Sequence, residues 1–304
     1  MRSNAPILVT GSHRSGTTWI GRMLSDSSSI AYLHEPFNVP YGIIRNQFVN
    51  WFQYVCAENE HEHIHKIERL IKYDYPLVDQ LTKADSMRRR AAVFRDFGYF
   101  LTCRFQNKRP LIKDPLALLS TEWLHQRFEM IPVITIRHPA AFCSSLILKD
   151  WRFDFRNFQR QKIAMKTILN PFQKEINRCV LTQPSLIDQG IILWNITHTL
   201  IMGWQSRYND WIFVRHEDLS RDPTSEFEVL YNQLSIPFST KEQDTIKKNS
   251  GAHNPSEQTP GQEFVRDSKA NIKNWKRRLT DSEIEHIRIG TQNVSAYFYN
   301  DNDW

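Results

Sequence analysis

The stretch Gly11-Ser12-His13-Arg14-Ser15-Gly16-Thr17-Thr18 constrains this chain most, because it joins a short β-rich run, Ile7–Thr10, to a helical pattern, Thr17–Leu24. A glycine-spaced loop between a strand and a helix turns several backbone N–H groups towards one place, with the positive end of the helix behind them. Such a loop cradles an oxyanion, and it belongs to α/β sheets whose ligands sit beyond the carboxyl ends of the strands. The glycine spacing is that of the triphosphate-binding loop G-x-x-x-x-G-K-[ST], yet Thr17 stands at the lysine position. The lysine that reaches β- and γ-phosphates is therefore missing. Arg14 instead offers a guanidinium to one tetrahedral anion, and the Thr17 and Thr18 hydroxyls add donors.

Four further β-rich runs follow, at Ile30–Leu33, Leu111–Lys113, Val133–Ile136 and Trp211–Val214. Helical patterns lie between them at Ser86–Phe105, Leu118–Phe128, Ala140–Leu148 and Leu186–Tyr208. This alternation predicts an α/β fold, a P-loop-containing parallel β-sheet flanked by helices. No repeat and no Gly/Ser- or Pro-rich linker divides the chain, so residues 1–304 are expected to form a single domain with helical insertions at about 39–105 and 152–208. Within the insertions Trp51, Phe52, Tyr54, Trp151 and Phe153 suit either stacking on sugar rings or an ordinary core. The run Met87-Arg88-Arg89-Arg90 reads as a solvated helix face or as a contact for an acidic substrate.

Composition narrows the functional classes. A hydrophobic fraction of 40% with nine tryptophans excludes a disordered chain. No run approaches the ~20 apolar residues of a membrane span, and Ile7–Thr10 is shorter than the ~7–15 of a signal-peptide core, so a cytoplasmic protein is expected. Lys and Arg total 39 against 33 acidic residues, a net charge of +6 that suits anionic ligands. The basic residues are spread out and form no nucleic-acid-binding motif, so no nucleic-acid partner is expected. Cys56, Cys103, Cys143 and Cys179 are scattered and read as buried thiols. His61, His63 and His65 alternate with Glu62 and Ile64, a polar surface rather than a metal site.

Arg14-Ser15-Gly16-Thr17-Thr18 resembles the 5′-phosphosulfate-binding loop of sulfotransferases that use 3′-phosphoadenosine 5′-phosphosulfate (PAPS). The resemblance implies that Ser12, His13, Arg14, Ser15, Gly16, Thr17 and Thr18 bind the donor. Trp19 resembles the tryptophan that packs on adenine in cytosolic relatives, although an aromatic on a first helix also suits a core. Glu35, in Tyr32-Leu33-His34-Glu35-Pro36, resembles the glutamate base of Golgi-type carbohydrate and protein-tyrosine sulfotransferases, and Lys113-Asp114-Pro115 resembles the lysine motif of the tyrosine enzymes. Val133-Ile134-Thr135-Ile136-Arg137-His138-Pro139 followed by Ser145 is similar to the arginine and serine pattern that binds the 3′-phosphate, with Ser144 as the neighbouring alternative. Phe213-Val214-Arg215-His216-Glu217-Asp218-Leu219 with Asp222-Pro223 resembles a strand-to-helix segment of structural role. Arg266, Ser268 and Lys269, before Asn274-Trp275-Lys276, partly resemble the loop that closes over the 3′-phosphate, but lack the Arg-Lys-Gly triplet of the small-molecule enzymes.

The resemblance implies transfer of a sulfuryl group from PAPS to an acceptor hydroxyl, leaving adenosine 3′,5′-bisphosphate (PAP), with no metal. Glu35 takes the acceptor proton, while Arg14, Lys113 and the loop amides stabilise the sulfuryl oxygens and the departing phosphate. His34 is the rival base. The acceptor implied is a saccharide or glycolipid, with a tyrosyl group also open. Two other classes compete: a P-loop kinase or ATPase, against which the missing loop lysine counts, and a non-catalytic anion-binding module, against which Glu35 and Lys113 count.

Overall fold

Alternate residues of the β-rich runs send apolar side chains to opposite faces, as strands buried on both sides must. The computed structural model describes residues 4–251 and 267–304. Five strands, β1 (Ile7–Gly11), β2 (Ile30–His34), β3 (Arg109–Lys113), β4 (Ile131–Ile136) and β5 (Ile212–Arg215), form one parallel sheet in the order β2-β3-β1-β4-β5. Leu8, Ile112 and Ile134 face one core, shared with Phe100, Phe142 and Trp194 of the helices Met87–Phe105, Pro139–Leu148 and Leu186–Arg207. Ile7, Val9, Leu111 and Val133 face a second, shared with Ile20 and Leu24 of helix α1 (Thr17–Leu24) and with Phe227, Tyr231 and Ile246 of the helices Pro223–Gln233 and Thr240–Ser250.

The strand order places the site. After β1 the chain passes to one side of the sheet to build β2 and β3, and then returns past β1 to lay down β4 and β5. The carboxyl ends of β1 and β4 therefore adjoin where the direction of winding reverses, the place where open α/β sheets bind their ligands. The glycine loop leaves β1 and Arg137 leaves β4 at this point, where Gly11 is in register with Thr135.

Three local expectations need correction. The helix expected over Leu118–Phe128 is a buried 3₁₀ turn, Pro115–Ser120, followed by an α-helix, Thr121–Phe128. Pro115 begins the turn, Asp114 caps it by accepting from the Leu116 N–H at 2.8 Å, and the Ser120 hydroxyl ties it to the carbonyl of Gln53 at 2.6 Å. Residues 39–59 run as turns, and helix begins only at Glu60. Trp211 precedes β5 and lies stacked on Tyr208, with ring centroids 4.2 Å apart. All four cysteines are free thiols, and Cys103, Cys143 and Cys179 are buried. Among the described residues no helix is long and apolar enough to cross a membrane.

Candidate functional site

The loop after β1 turns where only glycine moves freely. Gly16 has φ 97°, and a Cβ there would lie 2.5 Å from His216 Nδ1; a Cβ on Gly11 would strike Thr135. Arg14 also takes a left-handed φ of 65°. Inside the loop the Ser15 N–H donates to the Ser12 carbonyl at 3.2 Å, and the Ser15 and Thr135 hydroxyls are hydrogen-bonded. Gly16 precedes α1 without a side-chain cap, so the first amides of the helix keep the donors that an anion would take. The Ser12 hydroxyl is buried and has no partner among the described residues.

Neither flanking aromatic side chain lines this cradle in a simple way. The His13 ring turns into a cluster of Phe52, Phe142 and Trp151, with centroids at 5.7, 5.1 and 4.8 Å. Burial, helped by the Arg14 charge, lowers its pKa to about 3, so the imidazole is neutral and only its backbone serves the loop. Trp19 lies edge-on to His216 and Phe227, at 5.7 and 5.2 Å, and packs against the second core. Thr17 is buried in the first turn of α1, with Thr18 half-buried beside it.

The two expected anion sites converge. Arg14 Nε donates to Ser145 Oγ at 2.9 Å, and the Arg137 guanidinium donates to the Arg14 carbonyl. Burial lowers the Arg137 pKa to about 10, with Glu217 opposing, so the group stays cationic at neutral pH. Its Nε and the Ser144 hydroxyl are buried without partners among the described residues. The Arg137 carbonyl accepts from Trp194 Nε1 at 2.8 Å, which fixes the strand end against the helix Leu186–Arg207. The helix Pro139–Leu148 already spends part of its positive end internally, since the Ala140 N–H donates to His138 Nδ1 at 3.3 Å.

The segment after β5 buttresses both loops. His216 fills the space beneath Gly16, while Glu217 accepts from the His138 N–H at 2.9 Å and from the Tyr299 hydroxyl at 3.1 Å. The His138 ring stacks at 4.9 Å on Trp275, which secures the C-terminal part of the chain to the end of β4. Ser268 commits its hydroxyl to the carbonyls of Ser220 and Ser250, at 3.1 and 3.3 Å, and Lys269 is exposed. Arg266 lies outside the described residues.

On the other side of β1 stand Glu35 and Lys113. β2 and β3 pair so that His34 is opposite Lys113, and Lys113 is opposite Val9 of β1. Glu35 follows β2 at φ 44°, with its N–H donating to the Lys113 carbonyl at 2.8 Å. Its carboxylate is ion-paired with the fully buried Lys113 ammonium and accepts from Asn38 Nδ2 at 2.6 Å. Burial raises the Glu35 pKa, but the Lys113 and His34 charges and the two hydrogen bonds outweigh it and leave the pKa below the ordinary value. Burial and Glu35 push the Asp114 carboxyl up to about 8, against its two amide donors and the Lys113 charge. The rival base His34 has its pKa lowered to about 4, by burial and then by Lys113.

The structure thus joins Glu35 with Lys113 in one group, and Arg14 of the glycine loop with Arg137 and Ser145 in another. Asn38, His216 and Glu217 were not singled out as site residues from sequence. Only Asn38 carries a local signal, three positions beyond the glutamate it holds.

Comparison with known proteins follows this geometry. The model of the Sulfotransferase family matches residues 6–240. The sulfotransferase domain from the curacin biosynthetic pathway is 15% identical, with a TM-score of 0.53 over 97% of this chain and 98% of that domain. The sulfotransferase domain of the olefin synthase from Synechococcus PCC 7002 is 14% identical, with a TM-score of 0.51 over 98% of this chain and 96% of that domain. At these identities the likeness is one of fold. No curated protein matches the sequence.

Proposed function

This chain belongs to the sulfotransferase family, and from that premise we propose that it moves a sulfuryl group from PAPS to a hydroxyl of a saccharide or glycolipid acceptor, with Glu35 as general base. In this reading residues 1–304 act as one sulfotransferase-like domain in the cytoplasm. The observation that carries it is the Glu35 carboxylate held between Lys113 and Asn38 at the end of β2, beside the anion loop.

The residues present suit an anionic donor. Ser12 Oγ, Arg137 Nε and Ser144 Oγ are buried polar atoms without partners among the described residues, grouped around a loop that glycine keeps open. Ser12, Ser15, Gly16, Thr17 and Thr18 would hold the 5′-phosphosulfate through amides and hydroxyls, and Arg137 with Ser145 the 3′-phosphate. Lys269 is the remaining candidate cation there, whereas Ser268 is already engaged with backbone carbonyls. The donor supplies a sulfuryl group activated by its phosphate leaving group. As the acceptor oxygen bonds to sulfur and the bond from sulfur to the phosphate oxygen breaks, the acceptor proton passes to Glu35. Lys113, Arg14 and the loop amides offset the charge on the sulfuryl oxygens and the departing phosphate, a contribution of ~10²–10³ in rate for each positioned donor.

Calorimetric titration with adenosine 3′,5′-bisphosphate, without metal, tests this reading against ATP with Mg²⁺. Selective binding of the bisphosphate is expected, weakened at least tenfold in Arg14→Ala and in Arg137→Ala. Preference for ATP, or binding of neither nucleotide, would overturn it in favour of a P-loop nucleotide enzyme or an anion-binding module of another kind.

A further inference from the structure

Beyond the edge strand β2 lies a cavity of about 400 Å³, within the ~300–1,000 Å³ of small-molecule sites. Its lining includes His34, which precedes Glu35 in the chain, and Gly42, which packs so closely on the Glu35 backbone carbonyl that a Cβ there would collide with it, while Glu35 itself is not among the lining residues. The remaining wall comes from Tyr32 of β2, from α1, from the turns after Glu35, from residues 75–84 around the helix Leu77–Thr82 and from the helix Met87–Phe105, which brings in Arg89 from the basic run noted in the sequence.

The charge of this lining is one-sided, with five Lys and Arg residues and a single carboxylate, Asp96. Lys83, Arg89 and Arg95 have acidic partners, Asp79, Asp85 and Asp96. Arg22 and Arg45 have no carboxylate within ion-pairing distance among the described residues; Arg22 lies over the Tyr32 ring, 4.3 Å from its centroid. Two polar atoms of lining residues, Tyr32 Oη and His34 Nδ1, are buried and without hydrogen-bond partners among the described residues. Tyr32 itself is only 8% exposed. Unneutralised guanidinium groups beside an uncommitted hydroxyl and imidazole call for a ligand that carries both an anionic group and hydroxyls.

We infer that this cavity is the acceptor pocket, and that the acceptor is an acidic sugar whose carboxylate or phosphate is held by Arg22 and Arg45 while a hydroxyl is presented to Glu35. The inference rests on the proposed sulfuryl transfer and narrows its acceptor. A neutral sugar would leave both guanidinium groups without a charged partner, whereas an anionic one forms charge-assisted hydrogen bonds with them.

The test titrates the whole protein with glucuronate, with glucose 6-phosphate and with glucose, and repeats each titration on Arg22→Gln and Arg45→Gln. At least one anionic sugar is expected to bind tenfold or more tightly than glucose, and each variant to lose most of that preference. Comparison of the carboxylated with the phosphorylated probe identifies which anion the pocket takes. Adenosine 3′,5′-bisphosphate is titrated into every protein, and unchanged affinity in the variants shows that they are folded with an intact donor site. Bisphosphate binding without any preference for an anionic sugar, or with a preference that survives both substitutions, would overturn the acceptor assignment alone. Failure of the wild-type protein to bind the bisphosphate would overturn the transfer reading, and the acceptor role with it.

Discussion

Glu35 is the residue on which the proposed chemistry turns, and its carboxyl is pulled two ways. Burial raises its pKa, while Lys113, His34 and Asn38 lower it further, so the folded value lies below the ordinary 4.5. A depressed pKa keeps the carboxylate ionised as the pH falls, so the acid limb of kcat/KM is expected below pH 4.5. Lys113→Met removes the main opposing charge and leaves burial in command, which moves that limb upward; a limb that stays in place would show that Lys113 does not hold the base. Glu35→Gln keeps the shape and loses the proton acceptor, with kcat expected to fall ~10²–10⁴-fold at unchanged bisphosphate affinity. Both residues were singled out in the sequence through motif resemblance. Their ion pair was not, because it depends on β2 and β3 lying side by side.

At the scale of elements, the loop and its supports act as one unit. Gly16→Ala is strained by a φ of 97° and meets the His216 ring beneath it. The substitution is expected to cost ~1–3 kcal/mol and to weaken bisphosphate binding, read by denaturant melts and calorimetry. Adding His216→Ala should recover the steric part but not the backbone part, so full recovery would show that φ at this position does not matter. The five strands were legible because buried parallel strands are short apolar runs between helical patterns. The split of Leu118–Phe128 into a 3₁₀ turn and a helix was not, since it answers to Pro115, Asp114 and the contact of Ser120 with Gln53.

Across the whole molecule, the aromatic residues of the first insertion join its core to the anion loop. Phe52 is fully buried among Phe153, Phe158 and the His13 ring. Phe52→Ala is expected to lose ~3–5 kcal/mol of stability, and to weaken bisphosphate binding because the wall behind His13 is gone. A stability loss with donor affinity intact would show that this packing and the loop are energetically separate. The sequence left Trp51, Phe52, Tyr54, Trp151 and Phe153 open between sugar stacking and core; the structure packs all five into or against the core.

By itself the sequence determined the α/β class, the strand-loop-helix turn after the first strand and which charged residues that turn carries. These follow from spacings of a few residues: the two-residue period of strands, the helical turn and the glycine positions that permit the loop. Tertiary structure alone decided which distant groups meet. Arg14 joins Ser145 across 131 positions, Lys113 joins Glu35 across 78, and His216 comes to rest beneath Gly16. Those encounters are set by strand order and by which helix covers which face of the sheet, and no local period encodes either.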